Sequence, residues 1–409
     1  MSSDRATGVR ARVLLIAEDA TLAHLGRIMV LAKALPPAHY DVQVACSARG
    51  AHFLELMQLR HVPIETLDPA YFAARLARGQ VVHTEALLER SVADDLALFA
   101  RERPDVVVGD FRISLGISAA CAHVPYVAIQ NAHWCEQSLL PFPLPSHPWV
   151  NRLGLPLTRM VFRYALPLGL NGYLRPFNRV RQKHGLAPLP SLRAMYTQAD
   201  RTLYADMPSL SPVAQLPLGH SYIGPIIWEP PVALPEFWET LPTAAPLVFV
   251  NIGSSGDPRL LQEVLKAVVD LPVTVALATA GKAVPTPLPA NVFAASYLPG
   301  KALSTRATLL VTNGGSATGY MALAAGRPQI AVPSNMDQYF FSHAIERAGL
   351  GKLLRADGVT AQALRAALEE LVHTPAYHQR AAEAARAIAA TDAGARATEV
   401  VAELLNGQA

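Results

Sequence analysis

The chain has 409 residues, 51% of them hydrophobic and 16% charged, with a formal net charge of +3. That composition supplies apolar material for two buried cores and excludes an intrinsically disordered chain. So small a charge excess names no partner and gives no reason to expect nucleic acid.

The opening, MSSDRATGVRARVLLIAEDA, holds an apolar run too short for the core of a signal peptide, and it ends in Glu18 and Asp19. Residues 13–17 read as a buried strand, followed by a helix over about 25–35, a strand at 40–45, a helix at 51–60 and a strand at 62–67. Helical periodicity then runs from about 82 to 101, ahead of Pro104 and a strand at 105–109; a small-residue helix leads to a strand at 126–129. Strands alternating with helices predict an α/β fold with a parallel, doubly wound sheet.

From 137 to 199 the character changes. This stretch is rich in proline and aromatics and holds no Asp or Glu, yet carries Arg152, Arg159, Arg163, Arg175, Arg179, Arg181, Lys183 and Arg193. It could rest on an anionic membrane surface or face a lipid-like acceptor. It could equally be the solvated face of helices whose apolar sides pack inward. The Pro-rich passage at 225–246 reads as a linker. A second α/β unit opens with a strand at 247–251, and two Ala-rich helical segments close the chain, at about 361–373 and 375–405. The expected division is a first domain at 1–228, a linker at 229–245, a second domain at 246–385 and a C-terminal helix at 386–409.

No segment approaches the roughly 20 apolar residues of a membrane-spanning helix. The three cysteines, Cys46, Cys121 and Cys135, are odd in number and show no CxxC spacing, which fits reduced thiols. The expected setting is cytoplasmic, with peripheral membrane contact through 137–199 as an option.

The most informative run is LLVTNGGSATGYMALAAGRPQIAVPSNMDQ, from Leu309 to Gln338. An apolar strand ends in Gly314 and Gly315, a small-residue helix stops at Gly326, and a second strand leads to Asp337 and Gln338. A helix N-terminus stripped of side-chain bulk is a seat for phosphate. The Asp-Gln pair lies past the next strand, at the carboxyl edge where ligands of open α/β sheets sit. Phosphate beside a polyhydroxylated group suggests a nucleotide-sugar.

This run resembles the donor-site signature of the GT-B glycosyltransferases, in the superfamily of UDP-glycosyltransferases and bacterial macrolide glycosyltransferases. The matching features are the strand, the Gly-Gly turn, the Ala-Leu-x-x-Gly-x-Pro helix end and Pro-x-x-x-Asp-Gln. The resemblance implies two Rossmann-like domains facing a central cleft, with a last helix that returns to the first domain. It implies that Gly315 and Ser316, beside Asn313 and Gly314, meet the donor phosphates, and that Asp337 and Gln338 hold the sugar hydroxyls. It also implies that Leu298 reads the base through its main chain. The family usually has His where this chain has Asn313; plant members have Glu at Met321 and Gln at Gly300.

His24 stands where the family places the general base of its inverting members, and Asp110 where it places the partner Asp. An imidazole suits proton abstraction near neutral pH. On the residues alone, His24 could be a polar helix-start residue and Asp110 the cap of a helix beginning near Ser114. Gly253 and Ser254, after the first strand of the second domain, could donate to the diphosphate or simply form a capped turn. His133, Phe142 and Trp149 are candidate acceptor-site residues. No DxD motif occurs, so neither a metal nor another cofactor is expected. The expected activity is inverting, metal-independent sugar transfer from a UDP- or dTDP-sugar to a hydroxyl of an apolar or lipid-like acceptor. A nucleotide-sugar epimerase and a non-catalytic nucleotide-sugar-binding helper are the alternatives.

Overall fold

In the computed structural model, residues 10–253, 258–284 and 286–407 are described, apart from the side chains of Pro148, Trp149 and Pro258. Among them two sheets form. The first contains β1 (Ala11–Ala17), β2 (Tyr40–Cys46), β3 (Arg60–Pro63), β4 (Val106–Asp110), β5 (Tyr126–Gln130), β6 (Arg201–Tyr204) and β7 (His220–Tyr222), in the order β3-β2-β1-β4-β5-β6-β7. The second contains β8 (Leu247–Asn251), β9 (Thr274–Ala278), β10 (Val292–Ala295), β11 (Leu309–Thr312), β12 (Gln329–Ala331) and β13 (Gly351–Leu353), in the order β10-β9-β8-β11-β12-β13. Every ladder within the sheets is parallel. The central strands are buried from both sides, which is why β1 and β4 read as nearly continuous apolar runs.

Helices α1 (Leu22–Ala34), α2 (Ala51–Leu56), α3 (Pro69–Ala77), α4 (Glu85–Glu102) and α5 (Leu115–Ala122) accompany the first five strands. The next helices, α6 (Pro148–Leu153), α7 (Leu155–Lys183) and α8 (Leu192–Tyr196), occupy the acid-free stretch. The second sheet is wrapped by α9 (Pro258–Val268), α10 (Gly300–Arg306), α11 (Ser316–Ala324), α12 (Met336–Arg347) and α13 (Ala361–His373). Then come α14 (Pro375–Ala389) and α15 (Ala393–Asn406).

The last helical segment is two helices rather than one. Asp392 stops the run by accepting a hydrogen bond from the Ala395 amide at 2.9 Å, a side-chain cap that starts α15 afresh. Ala397, Val400, Val401 and Leu405 of α15 then pack into the first domain's core with Leu25, Ile28 and Met29 of α1. The Pro-rich passage carries neither helix nor strand, but it is not a loose tether. Trp228 packs against the first core, and Leu241, Phe237 and Trp238 pack with the second.

The strand order of each sheet reverses beside its first strand: β1 lies between β2 and β4, and β8 between β9 and β11. Those are the switch points where open α/β sheets leave a crevice beyond their carboxyl ends. Loops from the two crevices touch. Tyr320 Oη on α11 donates to Asp206 Oδ1, past β6, at 2.9 Å. Arg355, past β13, donates to the carbonyls of Leu144 and Pro145, each at 3.0 Å. The two carboxyl edges therefore face each other across a cleft.

Candidate active site

Register pairs Ala17 at the end of β1 with Asp110 at the end of β4, so the first turn of α1 stands over the Asp110 carboxylate. His24 Nδ1 lies 2.8 Å from Asp110 Oδ1. Asp110 is buried and His24 partly exposed, with 17% of its side chain accessible. Asp110 does not cap the following helix, whose N-terminus at Ser114 has no side-chain cap. One turn on, Arg27 pairs with Asp110 Oδ2 at 2.8 Å and donates to Asn131 Oδ1 at 3.2 Å. The sequence reading missed Arg27; its only signal is the three-residue spacing from His24, which places both on one helix face.

Phe111 follows Asp110 with a positive φ of 61°, a conformation unfavourable for a bulky side chain. Its ring stacks on His24, with centroids 4.6 Å apart and planes 4° from parallel. Behind the turn, fully buried Arg112 pairs with Asp95 at 2.9 Å and Glu18 at 3.2 Å, and donates to the Glu65 carbonyl at 2.7 Å. Burial opposes the Arg112 charge, but the two carboxylates outweigh it and hold the guanidinium above its ordinary pKa. Burial pushes the Glu18 carboxyl up, against the pull of Arg112. One guanidinium thus locks the loops after β1, β3 and β4 and fixes the backbone that carries Phe111.

In the second domain, the turns after β8 and β11 meet. A side chain at Gly253 would come within 3.5 Å of Asn313 Nδ2. Gly314 has a φ of 76°, and a Cβ there would lie 2.3 Å from Ser342 Oγ, so only glycine fits. The Gly314 amide donates to Thr312 Oγ1 and the Gly315 amide to Asn313 Oδ1, each at 3.1 Å. These two N–H groups are engaged locally. Helix α11 has no side-chain cap, which leaves the amides of its first turn, beginning at Ser316, as the donors for an anion. Lys282 Nζ, missed in the sequence reading, donates to the Gly253 carbonyl at 2.8 Å and brings a cation to the same corner. Ser254 lies outside the described residues. The Leu298 side chain is buried in the second domain's core.

Gln338 and Asp337 part company. Gln338 is buried; its Oε1 accepts from Ser334 N at 2.9 Å and Ser334 Oγ at 3.0 Å, and from Asn335 N at 3.4 Å in the capping box that starts α12. Asp337, with 47% of its side chain accessible, instead reaches the first domain. Its Oδ1 accepts from His133 Nε2 at 2.8 Å and Trp134 Nε1 at 3.2 Å. Burial opposes its ionisation, but the His133 and Trp134 hydrogen bonds and the Arg27 charge outweigh it and hold the carboxyl down to about 2. Arg27 thus acts electrostatically on both Asp110 and Asp337.

His133 stacks on Phe340 of α12 at 4.5 Å. Phe142 lies 5.7 Å from Phe340 and 6.2 Å from Trp134, and Trp134 lies 4.4 Å from Tyr196. Tyr196 stacks in turn toward Phe111 at 6.4 Å. An aromatic wall therefore runs from the His24 dyad to the domain joint. The Trp149 side chain lies outside the described residues.

The fold has solved counterparts. The calicheamicin glycosyltransferase CalG4 superposes with a TM-score of 0.71 and 20% identity, over 97% of this chain and 98% of that one. Residues 259–406 match the family described as the erythromycin biosynthesis protein CIII-like C-terminal domain. Over 386 residues the chain is 42% identical to a PGL/p-HBAD biosynthesis glycosyltransferase of Mycobacterium tuberculosis, covering 94% of this chain and 90% of the relative. The chain belongs to the GT-B glycosyltransferases. A PGL/p-HBAD biosynthesis rhamnosyltransferase of Mycobacterium bovis is 41% identical over 379 residues, covering 92% of this chain and 84% of the relative.

In the glycosyltransferase, the structure thus gathers His24, Asp110, His133, Phe142 and Asp337 around one cleft and sets Gly253, Asn313, Gly314, Gly315 and Ser316 at the adjoining switch point. Among the described residues, no group of three or more His, Cys, Asp or Glu side chains stands together as a metal site.

Proposed function

We propose that the glycosyltransferase moves a sugar from a UDP- or dTDP-linked donor to a hydroxyl of an apolar, lipid-like acceptor, with inversion and without a metal. The observation that carries this reading is the His24–Asp110 contact of 2.8 Å at one switch point, with Arg27 linking that dyad electrostatically to Asp337.

Asp110 holds the tautomer that protonates Nδ1, leaving Nε2 to take the acceptor's proton. The acceptor oxygen forms its bond to the sugar C1 as the bond from C1 to the diphosphate oxygen breaks, and the electron pair leaves with the diphosphate. Attack from the opposite face inverts the anomeric centre. The first-turn amides of α11 and the Lys282 ammonium stabilise the departing charge. Asp337 holds a sugar hydroxyl, and the aromatic wall seats the acceptor. The relatives named glycosyltransferases of PGL/p-HBAD biosynthesis support sugar transfer, and the one named a rhamnosyltransferase makes nucleotide-linked rhamnose a donor to include.

Incubation with a panel of UDP- and dTDP-sugars, with and without aromatic and lipid-linked alcohols, tests the reading. Nucleoside diphosphate release that requires an acceptor, with a product of inverted anomeric configuration by NMR, is the expected result. Isomerised donor would establish an epimerase, and binding without turnover a helper protein.

A further inference from the structure

Helix α7 is buried mainly along its C-terminal half; in the N-terminal half Thr158 alone is buried. Its C-terminal half buries Leu174, Phe177 and Val180 against Leu88 and Val92 of α4, and Arg179 and Lys183 pair with Glu85. The N-terminal half projects. Leu157, Met160, Val161, Tyr164 and Leu168 are 43%, 54%, 36%, 76% and 76% exposed. Their spacing of three, four, seven and eleven residues from Leu157 puts them on one helix face. That apolar face looks outward, whereas a soluble helix turns it to the core.

Charge says what covers it. Residues 137–199 contain no Asp or Glu. Arg179 and Lys183 are paired, but Arg152, Arg159, Arg163 and Arg175 make no hydrogen bond or ion pair among the described residues and are exposed. A second copy docked on the same face would set arginine against arginine, which an isologous interface disfavours. Arg163 flanks the stripe one turn from Met160, and Arg152 lies on the adjoining α6. An apolar stripe with uncompensated cations beside it suits the headgroup layer of an anionic bilayer, with the helix lying in its plane. No helix among the described residues is long and apolar enough to cross a membrane.

We propose that the projecting half of α7 docks the enzyme on an anionic lipid surface. The side of α7 away from the stripe stands beside the domain joint: the Arg159 charge reaches His343 on α12, and Ser146, just ahead of α6, donates its amide to the Ser334 carbonyl at 2.9 Å. The aromatic wall includes Phe340 of the same α12.

Co-sedimentation of the full chain with phosphatidylcholine vesicles, with and without phosphatidylglycerol, tests this independently of any activity. The chain is expected to pellet with the anionic vesicles only, and less so as salt rises. Arg163→Ala should lower the partition coefficient about fivefold. The double variant Tyr164→Glu/Leu168→Glu, at two of the most exposed positions, should abolish pelleting while circular dichroism and the melting temperature stay unchanged. Three results overturn the proposal: no pelleting with anionic vesicles, equal pelleting of parent and double variant, or a dimer of the parent that the double variant dissolves without any vesicle binding by either.

Discussion

His133 Nε2 lies 2.8 Å from Asp337 Oδ1, joining the loop after β5 in one domain to the start of α12 in the other. In the sequence these residues are 204 positions apart. The pair puts a half-exposed carboxylate, held ionised down to a pH of about 2, against the first domain across the cleft. A carboxylate poised in this way can exchange one donor for a sugar hydroxyl without leaving its place. Removing its charge removes a charge-assisted hydrogen bond of about 1.5–3 kcal/mol, so Asp337→Asn should weaken donor binding by roughly ten- to a hundredfold. Calorimetric titration with an intact nucleotide-sugar reads this; an unchanged Kd means that Asp337 does not hold the sugar.

His24→Ala should lower kcat by about 10²–10⁴ while sparing donor affinity, because general-base catalysis contributes on that scale. Asp110→Asn keeps the imidazole but loses the carboxylate that orients it, so the loss in kcat should approach that of His24→Ala. Acceptor-dependent diphosphate release measures both. Turnover unchanged in either variant removes the dyad from the chemistry.

Arg112→Met should destabilise the first domain by about 3–5 kcal/mol, because Asp95 and Glu18 would be left buried without their cation. The β4–α5 turn carrying Phe111 should loosen with it. Urea unfolding followed by tryptophan fluorescence gives the stability. A change under about 1 kcal/mol would show that the buried network is dispensable.

Burial, with the nearby Arg112 charge, presses the His83 imidazole from 6.5 down to about 4. As pH falls, the unfolded chain binds this proton first, so stability should decline from about pH 6.5 to about pH 4 and lose nothing further to this group below that. His83→Gln should flatten that limb, by about 2 kcal/mol between pH 7 and pH 4.5. Asp337 acts in the opposite sense: its contribution is present above about pH 4 and is lost as pH falls toward 2. Unfolding free energies of both variants across this range separate the two.

Both sheets were legible because their central strands are apolar throughout and end in turn residues; β1, β4, β8 and β11 all lie where those runs placed them. The 29-residue helix α7 was not legible. Pro167 and Pro176 stand inside it, and its apolar face in the projecting half turns away from the core, so neither breaker nor periodicity signals behave as they do in an ordinary soluble helix. The end of the chain reads as one helix at 375–405 because alanine continues across the break; only the Asp392 cap marks it. Gln338 reads like its neighbour Asp337, yet three residues after Asn335 it completes a capping box, a signal the sequence already held.

Local chemistry placed the glycine corner, the His24 helix start and the Asp110 strand end, because each depends on a few neighbouring residues and the backbone they allow. Parallel pairing of β1 with β4 then brought His24 and Asp110, 86 positions apart, within 2.8 Å. The partners of Asp337 across the cleft, the service of Arg27 to two carboxylates, and the outward turn of the α7 apolar face follow from how the two domains and their helices pack. No one-dimensional pattern encodes these, because each contact is a meeting of surfaces that are distant along the chain.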